Sequence, residues 1–227
     1  MWCDLIMISL VGGLLALDRT AAFQVMISRP IVAGPIIGLL LGRLEVGLAM
    51  GALTELIYLG RPPLGGYLPP NDTLAAVIAA GAVILAWPEI ELDRARVTLG
   101  FLLVPPLARM ASVVDNQARR ANGFLAGKAW TSVSQGQSWL IPYLNLTGLA
   151  IYFGLVSLYL LVMTWWAARL LAFLHPRLPA FSLSALKTMY VIIPLIGVAA
   201  ILGALHGRKN MLIFLLVALM ALALSLP

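Results

Sequence analysis

Charge is scarce in this 227-residue sequence: only 11% of residues are charged, against roughly a quarter in an ordinary soluble domain. Cysteine occurs once and histidine twice. The lone Cys3 excludes an internal disulfide and a cysteine-based metal site, and it says nothing about redox compartment. His175 and His206 stand apart beside basic residues, with no acids at ligand spacing, so they read as interfacial and no metal is expected. A Walker-type phosphate loop, a serine–histidine pair in a protease-like context and an acidic metal cluster are all lacking, which leaves no catalytic residue and no cofactor to expect. What is plentiful is apolar surface, 62% of residues with a mean hydropathy of +0.99. Soluble enzymes and nucleic-acid binders are excluded by that composition. It describes an integral membrane protein, and no stretch is polar enough for a second, soluble domain, so residues 1–227 read as one membrane domain. The net charge of +6 comes from dispersed arginines and lysines at the ends of apolar runs, where basic residues set membrane orientation.

The N-terminus, Met1-Trp2-Cys3-Asp4, carries an acid where a secretory signal has a basic region, so the first segment is expected to stay in the mature chain. A bilayer core of about 30 Å needs roughly 20 apolar residues per spanning helix. Leu5–Leu17, Pro30–Gly42 and Val46–Gly60 are too short, while Leu74–Trp87, Val97–Val114, Trp139–Trp166, Leu186–Leu205 and Met211–Leu226 look more like complete spans, although the first and last of these are also short. Two consecutive half-length segments predict broken or re-entrant helices, which survive in hydrocarbon only inside a bundle or around a cavity. Gly34, Gly38 and Gly42, and then Gly47 and Gly51, repeat every fourth residue and predict two faces for close helix contact. The expected fold is all-α: a polytopic integral membrane protein with broken or re-entrant helices and a Pro/Gly hairpin.

Positive-inside logic puts the polar interval Asp115–Ser138 in the cytoplasm and the mixed stretch Glu89–Arg96 outside. Arg169, Arg177 and Lys187, and then Arg208 and Lys209, do not all fall on the cytoplasmic side with single crossings. Either Trp139–Trp166, interrupted by Pro142, Asn145 and Gly148, contains a re-entrant turn, or the charge rule fails locally. No fixed-period repeat occurs, so an inverted repeat of the transporter kind is not within this chain, and a second protein is the place to look for its other half.

Five polar residues are candidates for binding a substrate. Glu55 lies in the apolar run Met50–Leu59, where an ionised carboxylate costs about 2.5–3.5 kcal/mol and needs a partner or a wet cavity. Helical spacing puts it on one face with Gly47 and Gly51, against other helices. An ion pair with Arg29, Arg19 or Arg61 competes with a role as acceptor for substrate hydroxyls or as proton carrier. Next to it, Arg61–Thr73 holds four prolines and a Gly-Gly pair and must turn. Asn71 or Asp72 then caps the helix near Leu74, leaving the other to face a cavity beside helix N–H groups suited to a neutral polyol. Asp18 and Gln24 follow the first run and admit either an interfacial or a binding role; Arg29, next to Pro30, reads as interfacial.

The run Leu17-Asp18-Arg19, Phe23 to Pro30 and on to Gly42, continuing through Leu53–Gly60 and Pro63–Pro70, resembles the IIC component of the mannose/fructose/sorbose-type phosphotransferase system. The match covers roughly residues 12 to 81. It implies a multi-pass sugar permease of the bacterial inner membrane that binds and translocates a hexose-type sugar. It also implies a IID membrane subunit of related, inverted fold, and cytoplasmic IIA and IIB proteins that relay phosphate, with no phosphorylated residue in the IIC chain. Glu55 and the Asp18/Gln24 region would then lie near the sugar. Two departures stand out: Gly42-Arg43 where the family reads Gly-Asp, and Pro70-Asn71-Asp72 where it reads Pro-Pro-Asp. Two other classes stay open, an ion-coupled secondary transporter with Glu55 as its proton site and a diverged, non-transporting interaction subunit.

Overall fold

The computed structural model describes residues 1–22, 24–59, 70–88, 92–204 and Leu212. Among these every regular element is helical: α1 (Trp2–Thr20), α2 (Pro30–Leu40), α3 (Leu44–Tyr58), α4 (Asp72–Ala86), α5 (Arg94–Phe101), α6 (Val104–Ser134), α7 (Ile141–Leu174) and α8 (Ala180–Ala204), with short 3₁₀ turns at Ser138–Leu140 and His175–Arg177. Most of the Arg61–Thr73 turn, Glu89–Glu91, His206 and nearly all of Met211–Leu226 lie outside the described residues.

The two half-length segments form a helical hairpin. At about 1.5 Å per residue, α2 and α3 are roughly 17 and 23 Å long, short of a bilayer core. Pro30 opens α2 at a position where the missing N–H costs no helical bond. The hairpin turns at Gly42, whose φ of +69° suits a residue without Cβ, and the Arg43 N–H closes the turn on the Gly38 carbonyl at 2.6 Å. The predicted glycine faces meet each other. A Cβ at Gly34 would fall 2.8 Å from Gly51 Cα, and one at Gly47 would fall 2.8 Å from Gly38 Cα, so the two backbones are in contact. The Arg43 guanidinium, at the position of the first departure, donates from Nε to the Pro88 carbonyl at 3.1 Å and ties this turn to the chain after α4.

Helix α4 is the centre. Every residue from Asp72 to Ile84 is buried, with α1, α2, α3, α5, α6 and α7 packed around it. Alanine or glycine occupies seven of its fifteen positions, which lets neighbours approach from all sides. Leu74–Trp87, one of the two shorter runs among the expected spans, forms an enclosed helix of about 23 Å. By contrast α1 presents Ile6, Leu10 and Leu14 outward at four-residue spacing and buries Leu5, Ile8, Gly12 and Leu15.

Two further stretches take definite form. The polar interval after Asp115 is helix as far as Ser134, because its Arg, Lys, Gln, Leu and Ala residues favour helix and it holds no proline. The run Trp139–Trp166 contains no re-entrant turn: Pro142 sits in the first turn of α7, and Gly148 packs against Asn122. Among the described residues three stretches are long and apolar enough to cross a membrane, namely Arg94–Ser134, Ser138–Arg177 and Ala180–Ala199.

Candidate functional site

The C-terminal end of α1 organises the polar residues. Asp18 is buried and its two oxygens accept the Val25 N–H at 2.7 Å and the Ser28 N–H at 3.1 Å. This grip holds the turn in which Gln24 and Met26 adopt left-handed φ values of 54° and 67°, strained for residues with a Cβ. Gln24 is exposed there; its backbone N–H donates to the Ala22 carbonyl at 2.8 Å, and among the described residues its side-chain amide has no hydrogen-bond partner. The turn delivers Arg29 to Glu55. Their ion pair involves Arg29 Nη2 and Glu55 Oε1, and the Ile31 N–H donates to Oε2 at 3.3 Å. Of the three arginines that could pair with Glu55, Arg29 is the one that does, although its place beside Pro30 reads as interfacial.

Arg19, the next residue along α1, makes the second ion pair, with Asp72, and donates to Thr73 Oγ1 at 2.8 Å. The cap that sequence left between two residues belongs to Asn71: its Oδ1 accepts the Leu74 N–H at 3.1 Å, and Asp72 is left to face Arg19. Asn71 also donates, from Nδ2 to Asp115 Oδ2 at 2.8 Å and from its backbone N–H to the Ala108 carbonyl at 3.0 Å. Tyr152 OH donates to Asp115 Oδ1 at 3.1 Å. Asp18, Glu55, Asn71 and Asp72 therefore belong to two clusters joined at Asp18 and Arg19. Asp115, the acid that sequence reading treated as the edge of a polar interval, is buried and completes the second; its place on the helical stripe of Leu107, Ala111 and Ala118 was the available signal.

A cavity of about 800 Å³ lies between α6, α7 and the end of α1. Its polar lining is Thr20, Asp115, Arg119, Asn122, Asn145 and Tyr152, set in a mostly apolar wall. None of the five predicted residues lines it; Asp115 and Tyr152, which hold Asn71, do. The buried Oδ1 of Asn122 has no partner among the described residues.

The grip of Asp18 can be tested by itself. Asp18→Ala leaves the buried Ser28 N–H without its acceptor, at about 1–3 kcal/mol, removes the acceptor of the exposed Val25, and frees the turn that carries Arg29. The expected result is a lowered unfolding temperature together with faster proteolytic cleavage between Ala22 and Ser28. Unchanged protection of that turn would show that Asp18 does not hold it.

Short enclosed helices, long apolar spans and a polar belt inside the bundle define a multi-pass, all-helical membrane protein. Its family is specific: residues 2–227 match the family model of the PTS system sorbose-specific IIC component, and the chain belongs to that family, the IIC sugar permeases of the mannose/sorbose type. Among relatives, the sorbose-specific EIIC component of Klebsiella pneumoniae is 26% identical over 83% of this chain, and N-acetylgalactosamine permease IIC component 1 of Escherichia coli K12 is 24% identical over 80%. The mannose-specific EIIC component of the same strain is 29% identical over 47%. The matched stretch spans 68%, 65% and 42% of these relatives' own lengths. The fold is shared with a solved chain described as a membrane protein, TM-score 0.72, and with one in the cryo-electron-microscopy structure of the mannose transporter ManYZ with microcin E492, TM-score 0.60. Each match has 19% identity and covers 97% of this chain and 85% of the other.

Proposed function

We propose that this chain binds a hexose-type sugar and carries it across the bacterial inner membrane, as the IIC subunit of a phosphoenolpyruvate-dependent phosphotransferase system. A IID membrane subunit completes the transport unit, and cytoplasmic IIA and IIB proteins bring the phosphate that IIB transfers to the sugar. The observation that carries this reading is the polar belt, in which Arg29 faces Glu55 and Arg19 faces Asp72. Paired in this way, the charges offer donors and acceptors with little net field, which suits a neutral polyol whose every hydroxyl both donates and accepts. A carboxylate has about four acceptor sites, so the two donors on Glu55 leave room for sugar hydroxyls. Gln24 contributes a free amide from the neighbouring turn, and Asn71 and Asp72 stand at the first turn of α4. Asp18 holds the turn that carries Gln24 and Arg29 in place.

The experiment is chemical. The chain is reconstituted with its IID, IIB and IIA partners in vesicles, supplied with phosphoenolpyruvate and labelled hexose. Label recovered inside as the sugar phosphate, and only with IIB present, is the expected result. Unmodified sugar that follows a proton gradient would replace this reading with a proton-coupled one, and an intact complex that binds no sugar by calorimetry would leave an interaction subunit.

A further inference from the structure

The second cluster contains a residue whose geometry serves another residue. We propose that Asp115 is a positioning residue: it fixes the side-chain amide of Asn71, and through it the first turn of α4, without itself contacting sugar. The inference rests on the proposed role of Asn71 and Asp72 at the sugar site.

An amide side chain is nearly symmetric in shape but not in chemistry, since one end donates and the other accepts. Asn71 uses both ends. Oδ1 must point along α4 to take the Leu74 N–H, and it does so only if Nδ2 points the other way. Asp115 is what requires that: both of its oxygens are acceptors here, one for Asn71 Nδ2 at 2.8 Å and the other for Tyr152 OH at 3.1 Å. A flipped amide would set oxygen against oxygen and drop the cap. The Ala108 carbonyl, two helical turns before Asp115 on α6, holds the backbone N–H of the same asparagine. Side chain and main chain of Asn71 are therefore both held from one face of α6.

The choice of an acid carries the same message. Among the described residues Asp115 has no cation within ion-pair distance, unlike Glu55 and Asp72, and a buried carboxylate without one is costly. Packing alone would be served better by an apolar side chain. What a carboxylate adds is two strong acceptors at fixed spacing, which the two donors from α4 and α7 occupy. Asp115 and Tyr152 also face the cavity, so on that side the grip is maintained by hydrogen bonds and not by close packing. Asp72 and Thr73 follow Asn71 directly and receive Arg19, so a displaced Asn71 moves that pair as well.

The test measures uptake kinetics in vesicles holding the complete complex, with the amount of complex determined by size-exclusion chromatography. Loss of a hydrogen bond to a charged group predicts that Asp115→Ala raises KM for the sugar roughly tenfold while the maximal rate per complex changes about twofold or less. Asp115→Asn keeps an acceptor for Nδ2 and is expected to recover most of the affinity. Asn71→Ser retains a capping oxygen but lacks the donor that Asp115 holds; adding Asp115→Ala to it is expected to change KM by less than about twofold, because residues acting through one another are non-additive. Three outcomes overturn the inference: a wild-type KM in Asp115→Ala, complex lost with no KM change in what remains, or fully additive effects in the double variant. A wild-type complex that takes up no sugar overturns the transport reading and this inference with it, whereas normal wild-type uptake with any of those three outcomes overturns the inference alone.

Discussion

Gly47→Ala will force helices α2 and α3 apart and abolish uptake. The added Cβ would land on the Gly34 carbonyl oxygen and lie 2.8 Å from Gly38 Cα and 2.9 Å from Gly38 N. All three neighbours are backbone, so no rotamer change can make room, and the strain of overpacking is about 1–3 kcal/mol or more. Gly34→Ala meets Gly51 Cα at 2.8 Å and Gly51 N at 2.9 Å and should behave alike. Both are expected to lower the unfolding temperature of the purified complex by at least about 5 °C and to leave less than roughly a tenth of wild-type uptake. The control is Gly123→Ala on α6, where nothing lies within 4 Å of the new Cβ and helix propensity favours alanine by about 1 kcal/mol. If Gly47→Ala folds and transports like Gly123→Ala, the hairpin does not depend on backbone contact.

Glu55→Ala will have the largest effect on transport with the smallest effect on assembly. It removes the acceptor for Arg29 and for the Ile31 N–H, and with it the proposed acceptor for sugar hydroxyls. Hydrogen bonds to charged groups contribute about 1.5–3 kcal/mol each, so uptake should fall about 100-fold. The folding cost is smaller, because Arg29 keeps 44% of its side chain exposed and can return to solvent. A complex that purifies at wild-type yield and takes up almost no sugar is the expected outcome. Adding Arg29→Met should improve stability and leave uptake low; restored uptake would mean that Glu55 serves only to neutralise Arg29.

Much of this was legible in the amino-acid order, and the parts that were not have physical reasons. Four-residue glycine spacing announces close backbone approach in any helix, so the α2–α3 contact could be read directly. The choice between Asn71 and Asp72 as cap could not, since both side chains cap equally well and the decision lies with Asp115 and Arg19, which sit 44 and 53 residues away. Which of three arginines pairs with Glu55 could not be read either, because the turn that brings Arg29 there is held by Asp18 and depends on two non-glycine residues at positive φ, which composition does not signal. The helix through Ser134 was hidden by its polarity: charged residues mark where water is tolerated, not where a helix stops. Pro142 and Gly148 had the opposite effect, suggesting a break in α7, because a proline in the first turn and a glycine under a neighbouring asparagine both leave helix intact.

The enclosure of α4 has a consequence for how the protein is made. A segment that no lipid touches cannot be retained by lipid, and fifteen residues are too few to span on their own. Its membrane residence is conferred by the six helices that close over it, some of which, α5, α6 and α7, are synthesised afterwards. The first turn of α4 therefore gains Asp115, the partner of Asn71, only after α6 has been made.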